Sequence, residues 1–275
     1  MPIDPTHPAA VLRHAAEHAS AGTPACPAWN RVLLKISGES LSGTGERGIQ
    51  PEALRSLAAE LAQAAATGAQ IAIVLGGGNI VRGAPLARAG LLPQAAADHM
   101  GMLGTVINGI ALKEALSELG LRTRVMSALG IERIVEPIER TRAIEYLETG
   151  HVVILAGGTG NPFCTTDTAA SLRAAELNCN VILKATKVDG VYSADPKKHP
   201  DAVRYDRLTF EEALTQRLGV MDLGSFTMCM EQQIDIVVFN FETQGNIAAV
   251  LRGEPIGTII TSGPAAARES ARRNA

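Results

Sequence analysis

From Arg31 onward, short unbroken apolar runs alternate with longer stretches whose apolar residues recur every three or four positions. Apolar runs of about 4–8 residues bounded by glycine fit buried strands, and the wider spacing fits amphipathic helices. Arg31–Ile36 (RVLLKI) reads as the first strand. Residues 51–67 form a helix, with Pro51 at the first helical position and Gly68 just past the end. Gln70–Leu75 (QIAIVL) is the second strand, stopped by Gly76-Gly77-Gly78. A long helix is expected over 93–119, a strand over 122–126, a helix over 139–149 and a strand over 151–156 (HVVILA). Helix 167–177 and strand 180–184 (NVILK) follow. Residues 189–206 turn Pro-rich and charged, which suggests a hairpin and loop. Helices over 209–217, 224–231 and 243–251 and strands over 235–239 and 257–261 complete the pattern.

Strands this uniformly apolar are buried on both faces, so the chain is α/β with a mainly parallel sheet covered on both sides. Right-handed crossovers then gather the functional loops at the carboxyl ends of the strands. Residues 1–30, rich in Pro, Ala and His, read as an extension with a short helix over 9–19, residues 31–262 as one domain, and 263–275 as a flexible tail.

A chain of 275 residues can bury a large core without disulfides. Its four cysteines are widely spaced, with no C-x-x-C and no zinc spacing. No secretory signal opens the chain and no apolar run approaches membrane length, so a cytoplasmic protein is expected. A net charge of −3 argues against nucleic-acid or membrane-surface binding, and 3% aromatics against a base-stacking platform. Glycine, at 27 of 275 residues, exceeds its usual share of about 7%.

That excess falls partly in loops after strands: Ser37-Gly38, Gly76-Gly77-Gly78-Asn79 and Gly157-Gly158-Thr159-Gly160-Asn161. Glycine lets successive amides approach an anion without a Cβ in the way. Three such loops at one sheet edge point to a phosphate-rich ligand. Lysine occurs only at 35, 113, 184, 187, 197 and 198. Lys35 and Lys184 close apolar strands, where a cation is costly unless it meets water or an anion, so both are candidate phosphate contacts. Gly43–Gly48 matches G-x-G-x-x-G, but it does not directly follow the strand and no acidic residue closes the next one. No Gly-Lys pair exists for a Walker A loop, and His14–His18 matches an inverted zincin pattern only by chance.

The segments RVLLKISG (31–38), GGGNIVRG (76–83), DHMG (98–101), TGNPFCTT (159–166), KATKVDGVY (184–192) and SADP (193–196), in this order, resemble the bacterial UMP kinases of the amino-acid kinase family. The resemblance runs from about Arg31 to Thr261 and leaves out residues 1–30. It implies a three-layer αβα sandwich, the amino-acid kinase fold, in which ATP with Mg²⁺ phosphorylates UMP to UDP in pyrimidine nucleotide biosynthesis. It implies ATP contacts at Lys35, Ile36, Ser37, Gly38, Gly78, Arg82, Thr186, Tyr192 and Asp195. It implies UMP contacts at Gly77, Asp98, Thr159, Gly160, Asn161, Pro162, Phe163, Cys164, Thr165 and Thr166, with Asp98 on the ribose. It implies catalytic roles for Lys35 and Arg82, which neutralise the transferring group, and for Asp167 and Asp222, which match positions that organise catalysis or metal, with Mg²⁺ held mainly by ATP phosphates.

Asp167 and Asp222 could equally be helix caps. Cys164 departs from the family, where a second aromatic commonly follows Phe163, and Gly157-Gly158 stands where a bulkier first residue is usual. The resemblance also implies a homohexamer, activation by GTP through Gly43, Thr44, Gly45, Glu46, Arg47 and Gly48, and inhibition by UTP. Helix 94–119 could make the subunit contact or pack in the core. The phosphate of UMP is already an anionic nucleophile, so no catalytic base is needed. A kinase forming an acyl phosphate, or a binding protein on this fold, are the alternatives.

Overall fold

The computed structural model describes residues 28–43 and 46–263. The expected helix 9–19, the His14–His18 pattern, Thr44, Gly45 and the residues after 263 lie outside the described residues. The strands are β1 (Arg31–Ile36), β2 (Gln70–Leu75), β3 (Thr123–Ser127), β4 (Glu136–Pro137), β5 (Val152–Ala156), β6 (Val181–Thr186), β7 (Val191–Tyr192), β8 (Arg204–Tyr205), β9 (Arg207–Thr209), β10 (Asp235–Asn240) and β11 (Thr258–Thr261). The helices are α1 (Pro51–Ala65), α2 (Gly83–Arg88), α3 (Gln94–Glu118), α4 (Arg140–Glu148), α5 (Thr166–Glu176), α6 (Phe210–Thr215), α7 (Leu223–Glu231) and α8 (Asn246–Leu251). A 3-10 turn at Gly38–Leu41 follows β1.

Nine strands form one sheet in the order β4-β3-β5-β2-β1-β6-β10-β11-β9. Its pairings are parallel except β10 with β11. The expected hairpin over 189–206 is the antiparallel pair β7 and β8. Side chains alternate between faces along a strand. Val32, Leu34 and Ile36 therefore enter a core shared with α1, α3 and α8. Leu33 enters a second core with α4, α5, α6 and α7. Helices thus cover both faces, as the apolar runs imply.

Pattern reading misses β4, β9 and α2, which are two, three and six residues long. Elements that short carry no periodicity. The last predicted helix starts at Asn246 rather than 243, because residues 240–245 turn through Gly245 at φ 85°. The packed domain also takes in residues before Arg31: Ala28 N–H donates to the Leu251 carbonyl at 2.9 Å, and Trp29 packs on the first core.

A buried carboxylate ties two helices of that layer. Glu60 on α1 is 6% exposed and receives the Gly245 N–H, just before α8, at 2.8 and 2.9 Å. Burial raises its pKa, and the Gly245 N–H opposes this only in part. The folded chain then holds this proton more tightly than the unfolded chain, so stability falls as pH rises through the folded pKa. Glu60→Gln keeps an acceptor for Gly245 and removes the titration. Urea midpoints at about pH 5 and about pH 8 should differ less in this variant than in the parent. Equal differences in the two proteins would count against the assignment.

Candidate active site

Parallel pairing brings the carboxyl ends of β1, β2, β5 and β6 to one edge of the sheet. Lys35 and Lys184 are register partners on β1 and β6. They share a strand face with Leu33 and Ile182, the face that α5 covers. Asp167, in the first turn of α5, stands between them. Its Oδ2 accepts from Lys184 Nζ at 2.8 Å, and its Oδ1 lies 3.1 Å from Lys35 Nζ. The Lys35 contact is a charge contact without hydrogen-bond alignment, since Asp167 Oδ1 has no hydrogen-bond partner.

All three side chains are at most 16% exposed. Two cations touch one carboxylate, and the ionised Asp222 also acts on Lys184, so the lysines are balanced by two carboxylates of which only Asp167 contacts them. Burial lowers the pKa of Lys184, with Asp167 opposing the shift. Lys184 Nζ also donates to the Val220 carbonyl at 2.5 Å.

Helix caps separate the two aspartates. The N-cap of α5 is Thr165, in a capping box with Thr168, so Asp167 is the charge partner of the lysines and not a cap. Asp222 is the N-cap of α7, accepting from Ser225 N–H at 3.0 Å. Its Oδ2 also receives hydroxyls from Thr165 at 2.6 Å, Ser225 at 2.6 Å and Thr168 at 3.3 Å. Burial resists ionisation of Asp222, but the bonds from Ser225, Thr165 and Thr168 outweigh it and hold the carboxyl below its ordinary pKa.

Two clefts lie near this edge; Lys184 lines one of them, and Lys35, Ser37, Gly38 and Asp167 line neither. One, of about 480 Å³, brings together Gly77, Gly78, Arg82, Asp98, Thr159, Asn161, Cys164, Thr165 and Thr166. The other, of about 460 Å³, contains Thr186, Tyr192 and Asp195, with Lys184 at its inner end. Its opposite wall, Gln216 to Val220, escaped sequence reading. Arg217 there adopts φ 52°, a left-handed conformation rare for a side-chain residue, and no local pattern announces it. A third cleft, of about 320 Å³, shares Gly78 and Arg82 with the first and is lined by Gly43, Glu46 and Arg47. Gly48 is not in its lining but brackets Asn79, donating to its carbonyl at 2.9 Å and accepting from its Nδ2 at 2.8 Å.

Asn79 belongs to a buried amide pair that the sequence does not advertise. Asn108 on α3 donates to Asn79 Oδ1 at 2.7 Å and to the Gly76 carbonyl at 2.8 Å, and Asn79 returns a bond at 3.0 Å. Both side chains are at most 4% exposed. The pair fixes the Gly76–Asn79 turn against α3. A Cβ on Gly38 would lie 2.5 Å from both the Gly76 carbonyl and Asn79 Oδ1, so the β1 and β2 turns touch only because Gly38 has no side chain. Ser37 caps the 3-10 turn, its Oγ accepting from Glu39 N–H.

Residues 30–240 match the family model described as the amino acid kinase family, which is more than half of the chain. The chain belongs to the amino acid kinase family. It is similar to the UMP kinase of Bacillus anthracis at 35% identity and TM-score 0.83, covering 86% of this chain and 97% of that one. It resembles the UMP kinase of Ureaplasma parvum at 37% identity and TM-score 0.80, over 84% and 98% of the two chains. The uridylate kinase of Archaeoglobus fulgidus matches at 29% identity and TM-score 0.66, over 84% and 99%.

The structure places several of the expected residues away from the cleft linings. Gly160, Pro162 and Phe163 do not line the 480 Å³ cleft. Phe163 sits at φ 65° and donates its N–H to Asp98 Oδ2 at 2.8 Å, which leaves its ring 75% exposed. Ile36 is fully buried and its carbonyl accepts from Gly76 N–H, so its side chain can touch no ligand. Asp98 also receives Gln94 Nε2 at 2.8 Å, which braces the cleft wall. Arg82 pairs with Glu39 across exposed surface at 2.5 Å. The buried thiols of Cys179 and Cys229 are pushed up to about 12 by burial, and for Cys229 also by Asp167 and Asp222.

Among the described residues no group of three His, Cys, Asp or Glu side chains could hold a metal ion. With Asp167 taken by two lysines and Asp222 by hydroxyls, these residues do not form a site for a protein-held Mg²⁺.

The glycines of the first cleft separate by role. A Cβ on Gly77 would fall 2.3 Å from the Gly101 carbonyl, whereas one on Gly78 meets no protein atom within 4 Å. Gly77→Ala should cost about 1–3 kcal/mol in urea unfolding, through forced backbone movement. Gly78→Ala should stay within about 0.5 kcal/mol of the parent yet weaken nucleotide binding measured by calorimetry. Equal stability losses, or unchanged binding in Gly78→Ala, would overturn this division.

Proposed function

We propose that this protein is a UMP kinase that transfers the γ-phosphoryl group of ATP to UMP, giving UDP for pyrimidine nucleotide synthesis in the cytoplasm. The observation that carries the reading is the Lys35–Asp167–Lys184 array at the carboxyl ends of β1 and β6, with Lys184 lining one of two clefts there. The cleft of Thr186, Tyr192 and Asp195 takes the adenosine part of ATP. The cleft of Gly77, Asp98 and Thr159–Thr166 takes UMP. Family membership and the similarity to UMP kinases over almost their whole length support it.

Phosphoryl transfer is mostly positioning and charge neutralisation. The α-phosphate oxygen of UMP attacks the γ-phosphorus, and the bond to the β-bridging oxygen breaks. Lys35, with its proton donors uncommitted to Asp167, meets the transferring group. Lys184 holds the donor phosphates. Arg82, in both acceptor-side clefts, leaves Glu39 to complete the neutralisation. Glycine turns supply amides for the remaining oxygens. Mg²⁺ enters as a complex with the ATP phosphates.

The chain assembles as a homohexamer that GTP activates and UTP inhibits. Along α3, Met102 and Gly104 pack inward, while Met100, Leu103, Ile107 and Ile110 form an apolar stripe that is 36–48% exposed. That spacing is one helix face, and such a face fits a second copy of the chain. Gly43, Glu46 and Arg47, which line the third cleft with Gly78 and Arg82, are where the GTP response reaches the phosphates.

Incubation with ATP and Mg²⁺ and a panel of nucleoside monophosphates should give diphosphate from UMP and far less from CMP, AMP or GMP. No product from any monophosphate would favour a nucleotide-binding protein instead. Lys35→Ala should lower turnover by about 10²–10³-fold while its unfolding transition stays cooperative. Undiminished turnover would remove Lys35 from the mechanism.

A further inference from the structure

Asp222 lines neither the donor cleft nor the acceptor cleft. Its oxygens are nonetheless crowded with donors: the Thr165, Thr168 and Ser225 hydroxyls on Oδ2 and the Ser225 amide on Oδ1. Ordinary capping of α7 would need only the Ser225 amide. The Thr165 hydroxyl has one proton. Its lone pairs already receive Asp167 N–H and Thr168 N–H at 3.1 Å each, so the proton goes to Asp222 at 2.6 Å. Thr165 is at once the last turn of the 159–166 loop, the cap of α5 and a wall of the acceptor cleft.

Two residues before Asp222, the Val220 carbonyl anchors Lys184, and Gln216 to Val220 wall the donor cleft. One connection between α6 and α7 therefore touches the donor cleft, the ammonium group of Lys184 and the acceptor loop.

We infer that Asp222 is a positioning residue that holds the acceptor loop, through the Thr165 hydroxyl, in register with the Lys35–Asp167–Lys184 array. The inference rests on reading the two clefts as the ATP and UMP sites. Asp222 takes no proton and binds no metal. Its bond fixes the start of α5, and with it the distance from the bound monophosphate to the lysines. An error of about 1 Å in such a distance costs about 10²-fold in rate.

Asp222→Asn tests this because asparagine caps helices as well as aspartate and still accepts from Ser225 N–H. Its amide nitrogen cannot accept the Thr165 hydroxyl. In the full chain with ATP and Mg²⁺, kcat/KM for UMP should fall by about 10–100-fold. The KM for ATP and the Mg²⁺ concentration for half-maximal rate should stay within about twofold, and the thermal midpoint within a few degrees. Thr165→Val should reproduce the loss and Thr165→Ser should restore most of the activity. The pair Asp222→Asn with Thr165→Val should lose no more than Thr165→Val alone, which removes this bond together with the cap of α5.

Unchanged UMP kinetics, a multiplicative loss in the double variant, or a raised Mg²⁺ requirement would each overturn the inference, the last by making Asp222 a metal ligand. A parent protein inert toward UMP would overturn the functional reading beneath it, a result distinct from any of these.

Discussion

Two ammonium groups stand against a single carboxylate at the ends of neighbouring parallel strands. Burial makes two adjacent positive charges expensive, and Asp167 between them, with Asp222 acting on Lys184, offsets part of that cost. A lysine pair of this kind persists because the surrounding structure holds it. The features around it follow from that need. Lys184 is pinned by the Val220 carbonyl, Asp167 is delivered by the first turn of α5, and the turns after β1 and β2 are glycines whose amides can approach a phosphate.

Holding this array demands rigidity in segments that regular structure does not support. The β1 and β2 turns are locked by close backbone contact at Gly38 and by the Asn79–Asn108 amide pair beneath them. The α5 and α7 starts are locked by hydroxyls converging on Asp222. Both devices are buried or half-buried polar networks with their donors and acceptors paired, which lets them act as hinges fixed in place rather than as flexible loops. The sheet contributes the remaining order. Both cores press on β1, so its end is among the least movable points of the domain.

Much of this was readable from residue order. Strands buried on both faces write themselves as unbroken apolar runs, and a lysine ending such a run is conspicuous, so Lys35 and Lys184 stood out before any geometry. Asp167 was ambiguous because an acid near a helix start serves equally as cap or as charge partner. Only the capping box of Thr165 and Thr168 assigns the cap elsewhere. Phe163 shows what a motif leaves open. Its motif places it in the acceptor loop, but a left-handed backbone turns its amide, not its ring, to use. The Gln216–Val220 wall and the Asn79–Asn108 pair left no trace, since each depends on segments far apart in sequence meeting in space.

The scarcity of aromatics and the chemistry of the thiols point the same way. Phe163 is exposed, and Tyr192 is committed through its hydroxyl to Asp189 at 2.7 Å. Neither ring packs against another aromatic residue, and glycines, hydroxyls and charged side chains line much of both clefts. Polar contacts suit a site that must tell uracil from cytosine, because an unpaired buried donor is penalised far more than a lost apolar contact. The two buried cysteines, held neutral by burial, offer no nucleophile near the lysines. Around the lysines stand fixed charge, amides and hydroxyls, the equipment for moving a phosphoryl group between two oxygen anions.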